Sequence, residues 1–211
     1  MTAVTIRRLG TGRFGLRFSV LLATMLGCAC SLIETPPAAR LWLLDINIPT
    51  SATSQASSDR QLTVLFPKLS APYDQDRVWL AEGGELSAIK GVRWHADVPS
   101  MLKDVAIEAL RASKRFSAVR DEGQLGAWQL QLSSTRFRAE RAGTNYLVQL
   151  TLAWELSCLS ERRLERSGVV QGRAQSSSAA QLRTTFVEAT QQALTELIGA
   201  FEPIELDHCQ A

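Results

Sequence analysis

Four cysteines, two histidines and one glycine-rich string are the groups through which this chain could do chemistry. Cys28 carries the clearest signal. It closes the stretch Val20-Leu21-Leu22-Ala23-Thr24-Met25-Leu26-Gly27-Cys28, and its thiol is a nucleophile able to accept a diacylglyceryl group. Ahead of it lies a leader with Arg7, Arg8, Arg13 and Arg17 and no carboxylate. An apolar run over 18–26 follows, too short to span a bilayer as a mature helix. Gly27 keeps the cleavage site uncrowded. The stretch reads as a bacterial lipoprotein signal peptide over residues 1–27, with Cys28 lipidated. Met25 stands where such signals more often carry Leu, and Cys30, behind Ala29, is a poorer second acceptor. An ordinary secretory signal with incidental cysteines, or a retained transmembrane anchor, are the competing readings. Arg7-Arg8 lacks the hydrophobic pair of a twin-arginine signal.

The remaining candidates are weaker. Gly10-Thr11-Gly12-Arg13-Phe14-Gly15 matches GxGxxG, but no strand precedes it and it lies in the leader. No GxSxG elbow or phosphate-binding lysine loop occurs. A catalytic triad would need His95 or His208; the first follows Trp94 just before a helix cap, and the second lies in the C-terminal tail. No metal-ligand spacing appears, so no metal is expected, and no cofactor beyond acyl groups on Cys28. In an oxidising compartment Cys158, ending a strand, and Cys209, in a tail able to fold back, are a possible disulfide. Two unrelated thiols are the alternative. Arg136, Arg138 and Arg141 flank Phe137 and could meet a partner or lipid headgroups; a solvated strand edge is the plainer reading. No catalytic set emerges, and an enzyme is not expected.

Removing the leader changes the electrostatics. Four of the 23 basic residues go with it, so a formal charge of +2 becomes −2 over the remaining 184 residues. No basic excess then points to nucleic acid. Residues 28–39, with Pro36-Pro37, read as a tether. The spacing predicts strands over 41–44, 61–66, 77–80 and 86–92, with turns at Pro72-Tyr73-Asp74 and Gly83-Gly84 and a loop over 50–60. Asp97 caps a helix with Pro99 in its first turn, whose buried stripe is Leu102, Val105, Ala106, Ala109 and Leu110. Trp128-Gln129-Leu130-Gln131-Leu132 alternates, as do Tyr146, Val148, Leu150, Leu152, Trp154 and Leu156 over the longest stretch. A strand over 168–174 precedes a helix opened by Ser176–Ser178, with Phe186, Thr190, Ala193, Leu194, Leu197 and Phe201 inward, ended by Pro203. The fold expected is α+β: one domain, residues 40–204, with an antiparallel or mixed sheet and two main helices packed on one face. Residues 205–211 are a tail.

In order along the chain, these elements resemble the ABC-type transport auxiliary lipoproteins. A lipidated cysteine precedes Leu41-Trp42-Leu43-Leu44-Asp45; Pro72-Tyr73 and Arg77-Val78 follow. The most recognisable element is a basic-Trp pair leading to an acid and a helix-opening proline, here Arg93, Trp94, Asp97 and Pro99, closed by Phe116-Ser117-Ala118-Val119. His95-Ala96 and the cysteine-bearing tail depart from that pattern. The resemblance implies a non-catalytic subunit of a lipid or hydrophobic-compound transport system. Its implied partners are an MCE-domain periplasmic protein and an ABC permease and ATPase, with a homo-oligomer possible. Ala29 is not the Asp that favours inner-membrane retention, which points to the periplasmic face of the outer membrane. Two other classes are carried forward: a lipid carrier with an internal apolar cavity, and an envelope hydrolase built on His95.

Overall fold

The computed structural model describes residues 38–47, 60–122, 127–159, 163–202 and 209. The leader, Cys28, Cys30, most of the tether, the loop before Arg60, Pro203 and His208 lie outside the described residues. Residues Ala39–Ala211 form one compact unit.

Nine strands make one mixed sheet. In chain order they are β1 (Arg40–Trp42), β2 (Gln61–Val64), β3 (Lys68–Leu69), β4 (Arg77–Glu82), β5 (Glu85–Trp94), β6 (Ala118–Arg120), β7 (Trp128–Ala142), β8 (Asn145–Cys158) and β9 (Arg163–Ser176). The last three are a long antiparallel meander. The free edge of β7 is taken in succession by β2, β3 and β4, all parallel to it. β6 extends the sheet beyond β2, while β5 and then β1 extend it beyond β4. The mixed character comes from these short strands, whereas one-sided alternation was visible mainly in the meander.

One residue sets which side chains of β7 face inward. Trp128, Leu130, Leu132 and Ser134 are buried, so an uninterrupted alternation would turn Phe137 outward. A bulge between Ser134 and Arg136 inserts Thr135 and shifts the phase. Phe137 and Ala139 are then buried, and Arg136 and Arg138 lie on the outer face. The Ser134 hydroxyl, itself buried, donates to the Thr151 carbonyl at 2.8 Å and holds the bulge to β8.

Two helices cover the inner face. α1 (Val98–Ala112) buries Met101, Leu102, Val105, Ala106, Ala109 and Leu110 at helical spacing, and Asp104, Glu108 and Arg111 are exposed. α2 (Leu182–Ala200) buries Phe186, Ala189, Thr190, Ala193, Leu194 and Leu197. The start of α2 differs from expectation. Ser178 accepts from the Ala180 N–H at 3.2 Å, capping a 3-10 turn, Ala179–Gln181. The helix proper begins after it without a side-chain cap.

α2 lies unusually close to β9. A Cβ on Gly172 would sit 1.6 Å from the Ala189 carbonyl oxygen, so only glycine permits the approach. From this position Gln192 and Glu196, one turn apart on α2, reach the edge of β9. The Arg173 N–H donates to Gln192 Oε1 at 2.9 Å, and the Gln171 N–H donates to Glu196 Oε2 at 3.1 Å. The helix thereby occupies donors that an open sheet edge would offer to another strand.

Candidate functional site

Arg93, Trp94, Asp97 and Pro99 meet at the corner where β5 turns into α1. Strand alternation sends Trp94 inward and Arg93 outward. Trp94 is 1% exposed and sits among three rings: Trp42 at 5.8 Å, Phe137 at 5.5 Å and Phe186 at 5.2 Å between centroids. It thus joins β1, β5, β7 and α2. Its indole N–H has no hydrogen-bond partner among the described residues, a desolvation cost that the surrounding aromatic packing must offset.

The corner is also stitched along its backbone. The Trp94, His95 and Val98 N–H groups donate to the carbonyls of Asp76 (2.7 Å), Trp42 (3.0 Å) and Gln75 (3.3 Å). Asp97 is extended, with ψ 149°, and its Oδ1 accepts the Ser100 N–H at 2.9 Å. Its Oδ2 accepts the Ser100 hydroxyl, also at 2.9 Å. Pro99 is buried in the first helical turn, where its missing N–H has no intrahelical partner to lose. Arg93 pairs with Asp76 at 3.0 Å while staying about half exposed. Three of the four residues therefore organise the corner, and the fourth presents a guanidinium at the surface.

The other candidates are dispersed. His95 is exposed. Among the described residues no group of three metal-binding side chains comes together. The three arginines around Phe137 are matched locally. Arg136 donates to Gln149 at 3.1 Å, Arg138 lies 3.6 Å from Glu140, and Arg141 pairs with Glu82 at 3.1 Å beneath the Tyr146 ring. Two of the three are paired with carboxylates, and Arg136 is held by a neutral amide.

Cys158 and Cys209 are joined as a disulfide, with sulfurs 2.04 Å apart and both residues buried. The bridge ties the tail to the end of β8 across a separation of 51 residues. In the chain-entropy account a loop of that length restricts the unfolded state by about 4 kcal/mol. Nearby, Arg115 donates to the Phe201 carbonyl at 2.6 Å and caps the end of α2. Burial lowers the pKa of Arg115, and the Glu202 carboxylate opposes that shift. At the other end of α1, Lys103 bonds both oxygens of Asp121, at 3.0 and 3.1 Å. That bond holds the Asp121 carboxyl below its ordinary range, helped by the Glu122 N–H.

Among the described residues, a continuous cluster of buried apolar side chains packs between sheet and helices. In it lie the Trp94 cluster and a second aromatic group in which Phe201 meets Trp154 at 5.1 Å and Phe116 at 6.2 Å. Open grooves lie at the surface, one of about 570 Å³ along Glu188, Gln192 and Glu196 of α2, another of about 340 Å³ beside β5. A carrier that encloses an acyl chain needs an apolar interior cavity, and these grooves are open with charged rims. No described helix is long and apolar enough to cross a membrane.

Comparison with known proteins agrees with this architecture. The family model for the ABC-type transport auxiliary lipoprotein component matches residues 42–200. The match begins at the last residue of β1 and ends with α2, so it spans β2 to α2 entire. The chain belongs to this family, and as such is an auxiliary component of ABC-type transport associated with the cell envelope. Protein XCC0632 from Xanthomonas campestris shares the fold at a TM-score of 0.69 and 23% identity, over 77% of this chain and 94% of that one. An uncharacterized protein superposes at 0.61 with 13% identity, over 78% and 99%. The hypothetical protein CT253 from Chlamydia trachomatis superposes at 0.50 with 5% identity, over 68% and 96%. These likenesses are of fold. No curated protein matches the chain in sequence.

Proposed function

We propose that this chain is a lipid-anchored, non-catalytic adaptor of an ABC transport system that moves lipids or hydrophobic compounds across the envelope. The family match over residues 42–200 carries the reading. In it, the signal peptide is removed, Cys28 takes diacylglyceryl and acyl groups, and the domain stands on the tether over residues 28–39 at the periplasmic face of the outer membrane. Each buried methylene contributes about 0.8 kcal/mol, so several acyl chains make anchoring effectively permanent. The domain docks an MCE-domain periplasmic protein and, through it, the permease and ATPase, either as a single copy or as a homo-oligomer. The aromatic clusters packed between sheet and helices, with the described grooves open at the surface, support a docking role over that of a carrier with an internal cavity.

Mass spectrometry of the protein extracted from separated inner and outer membranes tests the anchor. The expected N-terminal peptide begins at acylated Cys28, is found in the outer-membrane fraction, and is accompanied by a linked Cys158–Cys209 peptide before reduction. A mature N-terminus at any other residue, or an unmodified Cys28, would remove the anchored reading.

A further inference from the structure

The groove beside β5 gathers basic side chains. Ala39, where the chain enters the domain, lines it together with Arg77, Ala88, Lys90 and Arg93. The strand register explains the crowding of charge. Arg77 stands directly across from Arg93 in the antiparallel pair, and Leu41 of β1 is level with Arg93 in the parallel one. Like charges placed opposite each other on a sheet oppose its pairing. Only Arg93 is offset, by Asp76. Neither Arg77 nor Lys90 has a carboxylate partner among the described residues, whereas Arg138 and Arg141 near Phe137 each have one. Leu41 is 64% exposed and Leu43 53% exposed on the same entering segment.

Cations without counterions, bare leucines and the point of chain entry therefore coincide. We propose that this groove is a docking site for the anionic phospholipid surface of the membrane that holds the anchor. Arg77, Lys90 and Arg93 meet headgroup phosphates, and Leu41 dips toward the acyl boundary. The site runs against the net negative charge expected of the mature chain, so it orients the domain without giving it general affinity for anions. From Cys28 to Ala39 an extended chain reaches at most about 40 Å, which keeps the groove within range of the bilayer. The geometry rests on the anchored reading; the basic groove and the exposed leucines that flank it do not.

Lys90 is itself the reporter. The protein purified from membranes is placed in nanodiscs of phosphatidylcholine alone or containing phosphatidylglycerol, and the rate of lysine acetylation is followed by peptide mass spectrometry. With phosphatidylglycerol, Lys90 should react roughly thirtyfold more slowly or more, as two or three surface cations near an anionic bilayer imply. Lys114, exposed beyond α1, should be unaffected. The Leu41→Gln, Arg77→Gln variant should return Lys90 to its rate in neutral discs. Equal rates in the two lipids, or slowing that persists in the variant, would overturn the proposal. So would equal slowing by inorganic phosphate in neutral discs, which would make the groove a site for free anions. If the protein carries no acyl groups, co-flotation with the two kinds of vesicle replaces the discs. Selective binding to the anionic vesicles then supports the groove while the anchor fails, and indifference overturns the groove.

Discussion

Asp97 commits both carboxylate oxygens to one task. They take the backbone and hydroxyl donors of Ser100, and so fix where β5 ends and α1 begins. Replacing Asp97 by Ala should cost about 1 kcal/mol, the usual loss for a side-chain cap, and Asp97→Asn should retain most of it. Urea unfolding measures this; an Ala variant as stable as wild type would mean that Pro99 and the aromatic cluster hold the corner unaided. Asp97 and Pro99 were legible in the sequence because capping is local, acting within three residues. The pairing of Arg93 with Asp76 was not, since 17 residues separate them and only the strand arrangement brings them together. For the same reason Trp94, legible only as part of the basic-Trp motif, gave no sign of its three ring partners.

Among the elements, the long strands and both helices were legible because their apolar periodicity runs for many residues. β3 and β6, two and three residues long, carry no periodic signal and exist because longer strands hold them in place. Strand β1 stops at Trp42, earlier than its leucine run suggested, and Leu43 is exposed beyond it. The bulge at Thr135 also escaped reading, since only the burial of Phe137 reveals the phase shift. Gly172 is the element-scale residue with most at stake. Nothing in the sequence of the strand marks it out, yet its missing side chain sets the distance between β9 and α2. Gly172→Ala pushes a methyl group against the backbone of α2, which cannot rotate away as a side chain would. The expected loss is about 3 kcal/mol or more, read as a lowered unfolding midpoint. The grip of Gln192 and Glu196 on β9 should loosen as well, with faster hydrogen exchange at Gln171 and Arg173. Unchanged stability and exchange would contradict the close packing.

At the scale of the molecule, the described sheet and helices pack their apolar faces together, and Gln192 and Glu196 of α2 bond the edge of β9. What the domain offers is surface: an outer face on the meander where Arg138 and Arg141 are paired with carboxylates, and a basic edge flanked by exposed leucines where the chain enters. That division suits a protein held at a membrane to dock something else. The general fold class could be read from the sequence, as could the family, because both depend on the order of elements. The docking surface could not, because it is assembled from β1, β4 and β5 only after folding. Co-purification from intact envelopes tests the central claim most directly. A tagged copy, solubilised in mild detergent with Cys28 intact, should bring down an MCE-domain protein together with an ABC permease and ATPase. A Cys28→Ala copy, expressed to the same level, should bring down far less. Recovery of the intact protein without any transporter component would contradict the account.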